Sequence, residues 1–574
     1  MGLREPFRKI TRSDVLQLNT LAAIIGVLCG LIAIGFRYLI SFFRNLFMFG
    51  EFRFSLEGGS PLTSSFGFYL ILIPAIGGLL VGLLTYFFAR EAKGHGVPEV
   101  MEAMITSGGK IRPRVTLVKG LASALCIGSG GSAGREGPII QVGSAAASSV
   151  SQLFGFKGNV TRILVGCGAA GGITATFNTP IAGVIFAIEL ILTEFKTRSF
   201  IPLVISSVLA TVVSRTFLGA SPAFEVPIYS FEHPVELLFY LVLGIIAGLV
   251  GILMIKSLYG MEDLFDKMKA PEWMKPAIGG LLLGILFFKL RHVMGVGYEI
   301  MGEVLNQNVT LQLMLLLVFA KILAVALTLG SGGSGGVFAP SLFIGCMLGG
   351  SFGHVVHGLF PDVTATYGAY ALVGMAAVFA AVSRSTLTAI IIIFEMTRDY
   401  QIILPLMFAC VIADGVSYLL HPETIYTKKL LRKGIKIHQD MASDYMAGIT
   451  ADEIMNRKVD TVTYDTTAGE VNRLIQKTGH HGFPILDEEG NLAGIVTEFD
   501  VQKAREKKKM KKPIRELPLR KLVVAYPDET LDQVVGTMLS EEVSHILVVD
   551  RENKKKLLGL LTRTDLIGIR KRRT

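Results

Sequence analysis

The chain has 574 residues, of which 51% are hydrophobic and only 18% charged, with a formal net charge of +10. Its 63 glycines are about 11% of the residues against a usual ~7%, and high apolar content with high glycine excludes an ordinary soluble domain in favour of packed membrane helices, whose interfaces take small residues. Five isolated cysteines (Cys29, Cys126, Cys167, Cys346, Cys410) in hydrophobic stretches exclude a disulfide framework or a zinc site.

Arg4, Arg8, Lys9 and Arg12 precede the first apolar run without a small-residue cleavage site, which predicts an uncleaved, cytoplasmic N-terminus. Residues 1–437 then read as an integral membrane domain, with long runs near 19–48, 67–89, 201–219, 236–258, 275–290, 311–329, 366–382 and 402–420. Between them lie apolar stretches of about 10–17 residues, broken by Gly and Pro and too short to span a ~30 Å core. Irregular backbone at that depth survives only where protein buries it or where it lines a cavity.

The segment Ser129-Gly-Gly-Ser-Ala-Gly-Arg-Glu-Gly-Pro138 recurs 202 positions later as Ser331-Gly-Gly-Ser-Gly-Gly-Val-Phe-Ala-Pro340. Upstream, Lys119, Leu121, Ala122, Ala124 and Leu125 fall on Lys321, Leu323, Ala324, Ala326 and Leu327; downstream, Leu164-Val-Gly166 falls on Leu372-Val-Gly374. The chain therefore holds two homologous halves, roughly 20–220 and 234–437. Hydropathy alone leaves their mutual orientation, inverted or parallel, open. Interrupted apolar segments at corresponding places in two halves point to a transport site near the midplane. One half carries a carboxylate in its loop, Glu136; the other carries Val337 and Phe338.

The same loops fit a dinucleotide fingerprint and a serine nucleophile elbow. The first needs a preceding strand in a soluble βαβ unit and the second a positioned base, so both are set aside. Anion binding fits better: a glycine-rich loop opening a helix presents unpaired N–H groups at the positive end of the helix dipole. Gly94-His-Gly-Val-Pro98 is a third such loop, and the starts marked by Pro98, Pro138 and Pro340 are expected to converge. A carboxylate within the membrane is a functional group by default.

Gly94-His-Gly-Val-Pro98, Gly134-Arg-Glu-Gly-Pro138, Gly336-Val-Phe-Ala-Pro340 and Tyr426 in Ile425-Tyr-Thr-Lys-Lys resemble the four anion-site segments of the CLC family of chloride channels and chloride–proton antiporters. The resemblance implies an α-helical polytopic fold, a two-fold inverted repeat of broken helices, working as a homodimer with one pathway per subunit. It implies that Glu136 is the gate and carries a proton, and that the anion meets His95, Gly96, Arg135, Gly137, Val337, Phe338 and Tyr426, largely through backbone donors and the Tyr426 hydroxyl. His95 stands where the family usually has serine, a departure that keeps chloride as the expected cargo but leaves nitrate, bromide and fluoride open. The inner proton position of many exchangers is Leu190 here, where the acid is absent. That favours channel-like conduction over proton-coupled antiport, although His95 could relay a proton instead. Glu189 and Glu395, equivalently placed, are expected to be structural.

Beyond residue 438 the texture becomes α/β and a second duplication appears, 438–505 and 513–569, joined by a lysine-rich linker. Two β-α-β-β-α units of about 60 residues resemble a tandem CBS pair, and Thr497/Asp500 and Thr562/Asp565 match that family's ribose-contacting motif. Thr and Asp at those spacings also cap the following helices, so an adenine nucleotide is one reading and a structural cap the other. No cofactor is required for transport. The basic clusters Lys507-Lys-Lys-Met-Lys-Lys512 and Arg570-Lys-Arg-Arg573 suit the cytoplasmic face of a bilayer, the plasma (inner) membrane, rather than nucleic acid. These expectations make the protein a transporter rather than an enzyme; a CBS ligand sensor merely anchored in the membrane is the remote alternative.

Overall fold

The computed structural model describes residues 12–55, 67–156, 158–193, 195, 197–219, 233–435, 450–517, 522–541 and 543–568, which divide between 436 and 437 into two units. The first unit is a double series of helices. Its first half comprises α1 (Arg12–Phe49), α2 (Ile73–Phe88), α3 (Val97–Thr106), α4 (Arg114–Gly128), α5 (Glu136–Leu153), α6 (Asn159–Phe177), α7 (Pro180–Phe186) and α8 (Thr197–Leu218). The second comprises α9 (Glu236–Lys267), α10 (Lys275–Lys289), α11 (Tyr298–Leu305), α12 (Leu311–Gly330), α13 (Phe338–Leu359), α14 (Tyr367–Ser383), α15 (Thr386–Thr397) and α16 (Ile403–Leu420). A short α17 (Thr427–Arg432) follows.

The halves match element by element. Helix α1 packs on α4, α6 and α8, as α9 packs on α12, α14 and α16; α5 lies along α6 as α13 lies along α14. Where α2 meets α10 and α7 meets α15, equivalent elements touch each other, as they must beside a two-fold axis. The orientation left open by hydropathy is fixed at Gly134 and Gly336. These equivalent residues form an antiparallel bridge, each N–H donating to the other's carbonyl at 2.8 and 2.6 Å. Equivalent segments running in opposite directions make the repeat inverted.

Local sequence explains the breaks. Pro98, Pro138, Pro180 and Pro340 all fall in the first turn of their helices, where the missing N–H has no intrahelical partner to lose. Helices α6 and α14 both stop in left-handed conformation, at Asn178 (φ 63°) and Arg384 (φ 54°), before α7 and α15 resume. Small residues let α5 touch α6 and α13 touch α14 backbone to backbone: a Cβ on Gly143 would overlap the carbonyl of Gly168, and one on Gly345 that of Gly374.

Among the described residues, eight helices are long and apolar enough to cross a membrane, and they differ in part from the long runs of the sequence. Helices α6 (19 residues) and α13 (22 residues) qualify, although their many Gly, Ala and Ser residues make them weak hydropathy signals. The strongly apolar runs near 275–290 and 366–382 become α10 and α14, of only 15 and 17 residues. Hydropathy measures lipid preference, whereas α6, α13 and α14 are packed mainly against protein.

The second unit holds two three-stranded sheets, β1 (Val462–Thr463), β2 (Gly482–Leu486), β3 (Leu492–Thr497) and β4 (Val524–Ala525), β5 (His545–Val549), β6 (Leu557–Thr562). In each the first pair is parallel, across a helix, and the second antiparallel. The repeats exchange segments. Ala451 and Met455 enter the core of the second repeat, while Ile514 enters that of the first. Leu492, Ile495, Leu547, Val549 and Leu560 form a core shared by both sheets.

Candidate functional site

The three glycine-rich loops meet at the two-fold centre. Gly94 N–H donates to the Gly333 carbonyl at 3.0 Å, and Gly335 N–H to the Gly94 carbonyl at 3.2 Å. Gly96 (φ 89°) caps α3, and a Cβ there would lie 2.6 Å from the Gly137 carbonyl; a Cβ on Gly137 would overlap the His95 carbonyl. The starts of α3, α5 and α13 are thus in van der Waals contact, an approach that side chains would prevent. The first N–H groups of each helix have no intrahelical acceptor, and the three positive dipole ends gather in one buried place.

Two buried lysines hold this arrangement. Lys119 Nζ donates to the carbonyls of Ala92 (3.0 Å) and Gly94 (2.7 Å); its repeat partner Lys321 donates to Val293 (3.1 Å) and Gly295 (2.8 Å). Each lysine thereby fixes the loop entering the third helix of its half, with its charge spread over carbonyl oxygens.

Glu136 is fully buried at the first position of α5. Its Oε1 accepts from the Tyr298 hydroxyl at 2.8 Å, and Arg135 Nε lies 3.9 Å from the same oxygen. Oε2 sits against Gly134, beside the first turn of α13. The Arg135 guanidinium stacks 5.2 Å over the Tyr298 ring, so this side chain turns toward the loop before α11. Phe338 packs on Phe177 and Phe379, at 5.1 and 4.2 Å between ring centres, and Val337 is buried beside it.

His95, Tyr259 and Tyr426 form a buried aromatic group. His95 Nε2 lies 3.5 Å from the Tyr259 hydroxyl, and its ring centre is 6.3 Å from that of Tyr426. Tyr259 donates to the Ile425 carbonyl at 2.5 Å, tying α9 to the segment that carries Tyr426. His95 Nδ1 is buried without a hydrogen-bond partner. Nearby, Glu262 binds Lys429 (2.5 Å) and Arg432 (3.1 Å), fastening α17 to α9. The loops bearing His95, Gly96, Arg135, Gly137, Val337 and Phe338 therefore come together, with Tyr426 beside His95 from the end of the first unit.

Leu190 is buried in a π-helical turn, Ala187–Leu192, that continues α7. Its neighbour Glu189 accepts from the N–H groups of Leu387 (3.3 Å) and Thr388 (3.0 Å) at the start of α15. Glu395 reciprocates, accepting from Ile181 (3.0 Å) and Ala182 (2.7 Å) at the start of α7. Both carboxylates cap a helix of the opposite half. In the second unit, Thr497 and Asp500 form a capping box, with the Thr497 N–H and hydroxyl donating to Asp500 Oδ2 at 2.9 and 2.7 Å; Thr562 and Asp565 repeat it at 2.9 and 2.6 Å. Thr497 also lines a cavity of about 390 Å³ with Phe499, His545 and Arg563; Asp500, Thr562 and Asp565 do not line it. Among the described residues no group of His, Cys, Asp and Glu could hold a metal ion.

Sequence reasoning missed Tyr298 and Tyr259. A signal for Tyr298 existed: Gly295-Val-Gly297 repeats the Gly-x-Gly of Gly94-His-Gly96, and Gly297 (φ 90°) caps α11 as Gly96 caps α3. Tyr259 lies in a continuous apolar helix and carries no such mark.

Comparison with known proteins places this geometry. The sequence profile of the family described as Voltage gated chloride channel matches residues 77–418, and that of the CBS domain matches 451–507 and 514–572. The chain is 35% identical over 366 residues to the ClcB-like chloride channel protein of Ralstonia nicotianae, covering 63% of this chain and 85% of that one. It is 32% identical over 432 residues to the H(+)/Cl(-) exchange transporter ClcA of Vibrio parahaemolyticus, covering 73% and 91%. The crystal structure of a slow cyanobacterial Cl-/H+ antiporter superimposes with a TM-score of 0.65 at 27% identity, covering 73% of this chain and 98% of that one. The chain belongs to the CLC family of voltage gated chloride channels and related anion transporters, with a tandem CBS pair after its membrane unit.

Proposed function

We propose that this protein is a chloride–proton antiporter in which Glu136 is the gate. The observation that carries the reading is a fully buried carboxylate lodged where the starts of α5 and α13 meet, the place an anion would otherwise occupy. Dipole ends and backbone N–H groups supply most of the attraction for a halide, with Arg135 turned away over the Tyr298 ring, so binding stays weak enough for release. The anion would be held by the backbone N–H groups of Arg135, Glu136, Gly137, Val337 and Phe338, by His95, and by the Tyr426 hydroxyl, with Gly96, whose own N–H donates to Glu99 at 3.1 Å, shaping the loop beside it.

The lean toward channel conduction, drawn from Leu190, gives way here to exchange. The relatives named as exchangers cover more of this chain than the one named as a channel. Leu190 removes one inner acceptor but leaves the gate's own carboxyl as a proton carrier. His95, with its unpartnered Nδ1, is a second titratable group at the site. Passive conduction remains the second reading, because the residue at 190 cannot itself bind a proton.

The assembly we propose is a homodimer in the plasma (inner) membrane with both termini cytoplasmic, as the basic clusters at the two ends suggest. The CBS pair would take an adenine nucleotide in the cavity beside Thr497 and Arg563. The deciding experiment measures the reversal potential of the reconstituted protein under opposed chloride and pH gradients. We expect it to move with both. A potential that follows chloride alone at every pH would make the protein a channel, and the absence of any anion current would overturn transport itself.

A further inference from the structure

We infer that a cavity of about 440 Å³ in the second unit binds a soluble ligand with two or more adjacent phosphoryl groups, apart from the cavity beside Thr497 and Arg563. The helix Glu498–Glu506 supplies Lys503 and, just past its end, Lys507; the segment after it supplies Lys509 and Arg515. Lys503 and Lys507 are four residues apart and so share a face.

Two carboxylates also line this space, and both are already engaged. Asp500 accepts from the Thr497 N–H and hydroxyl, and Glu516 meets Lys512 at 2.5 Å. Arg515 is paired with Asp465 at 2.8 Å. Lys503, Lys507 and Lys509 make no ion pair among the described residues; the Lys503 ammonium rests 4.7 Å over the Phe499 ring. Cations gathered around a concavity focus their field and raise the local anion concentration. Among the described residues the lining holds no aromatic ring, so a nucleobase has nothing to stack on. Ammonium groups bind phosphate as point charges, and three of them around one space suit linked phosphoryl groups.

The lysine run reads in sequence as a linker, but the structure ties it down. Lys509 N–H donates to the Ala504 carbonyl at 2.8 Å and Lys508 N–H to that of Arg505 at 3.0 Å, the two bonds of a Schellman helix end. The left-handed residue of that motif is Lys508 (φ 56°), where glycine is the usual occupant. Further on, Gly469 N–H donates to the Met510 carbonyl at 2.9 Å and Ala468 N–H to that of Lys512 at 3.2 Å, at the start of the helix Ala468–Thr478. Lys507 and Lys509 thus stand at fixed places, and a ligand need not order the backbone that carries them.

The inference is independent of the transport and nucleotide readings. Its test is calorimetry of the full-length protein in neutral-lipid nanodiscs with sodium tripolyphosphate. Saturable heat should appear and weaken with added potassium chloride. Lys507→Gln/Lys509→Gln should raise Kd about tenfold or more, the loss expected for charge-assisted contacts. Lys508→Gln/Lys511→Gln removes the same charge from the same run outside the cavity, and should leave Kd near the unmodified value. Equal weakening in both pairs would make the run a diffuse charge and overturn the site. Arg563→Ala should also keep the heat; if it abolishes it, the phosphates sit in the other cavity and the inference fails. Loss of the heat when phosphatidylglycerol replaces the neutral lipid would assign the lysines to a membrane surface and overturn the soluble ligand. Absence of saturable heat in the unmodified protein overturns the inference whatever the variants do.

Discussion

The Tyr298 hydroxyl is the side-chain hydroxyl that meets Glu136, and it does so from the opposite half of the repeat. A hydrogen bond to a charged acceptor contributes about 1.5–3 kcal/mol, and ~1.4 kcal/mol is a tenfold change in an equilibrium. Tyr298→Phe should therefore loosen the gate and raise chloride flux by about tenfold or more while proton movement persists, because the carboxyl remains. Glu136→Ala should behave differently: flux persists or rises and proton movement vanishes. Chloride-electrode and pH recordings on the same liposomes check both. A folded Glu136→Ala protein without flux would remove Glu136 from the gate, and an unchanged rate in Tyr298→Phe would mean that this bond does not hold it. Glu136 was legible in the sequence because burying an acid at a membrane helix start is costly, and a residue without a task there would be apolar. Its partner was less so. Tyrosine is common in such helices, and only the repeated Gly-x-Gly before α11 marked the position.

Reciprocal capping by Glu189 and Glu395 is a property of elements, since each carboxylate completes a helix that belongs to the other half. Sequence position alone indicated a structural role, through equivalence in the two repeats; the exchange of partners needed the inverted geometry, which hydropathy did not supply. The same limit applies to α6 and α13, whose small residues read as interruptions because packing against protein demands smallness where lipid would demand bulk. Replacing either capping glutamate by alanine should cost about 1–2 kcal/mol, the usual magnitude for a lost cap, seen as a lower unfolding midpoint in detergent. Glutamine, which keeps a carbonyl acceptor, should recover much of that loss. The informative variant is Glu189→Gln. With Leu190 unable to titrate, a neutral residue at 189 should leave chloride–proton coupling unaltered if Glu189 is only a cap. Loss of proton movement with intact chloride flux would instead make Glu189 the inner acceptor that Leu190 cannot be.

For the whole molecule, the two duplications are of different kinds, and each was readable to a different depth. The membrane repeat was visible because loop chemistry constrains Gly, Pro and Ser at fixed spacing. The CBS repeat was visible through strand and helix periodicity, but its exchanged segments were not: Ala451, Met455 and Ile514 are scattered apolar residues among polar ones, and their destination depends on the partner repeat's open core. The Thr-x-x-Asp motifs show why motif and function separate. Both pairs close capping boxes with nearly identical distances, so the motif has a structural role at the helix starts whether or not a ligand binds. The case for a ligand lies instead in the cavity beside Thr497, where Arg563 and His545 supply donors suited to phosphate and Phe499 supplies a face on which a purine can stack. Titration calorimetry of the full-length protein with ATP, ADP and AMP should register binding, and Arg563→Ala should weaken it by tenfold or more, as the loss of a charge-assisted contact worth about 1.5–3 kcal/mol requires. Coupling to transport is a separate outcome. Nucleotide should alter chloride flux through the full chain and leave a protein ending at residue 437 unaffected. Binding without a change in flux would limit the pair to stabilising the assembly, and absence of heat at millimolar nucleotide would reduce the cavity to a consequence of how the two sheets pack.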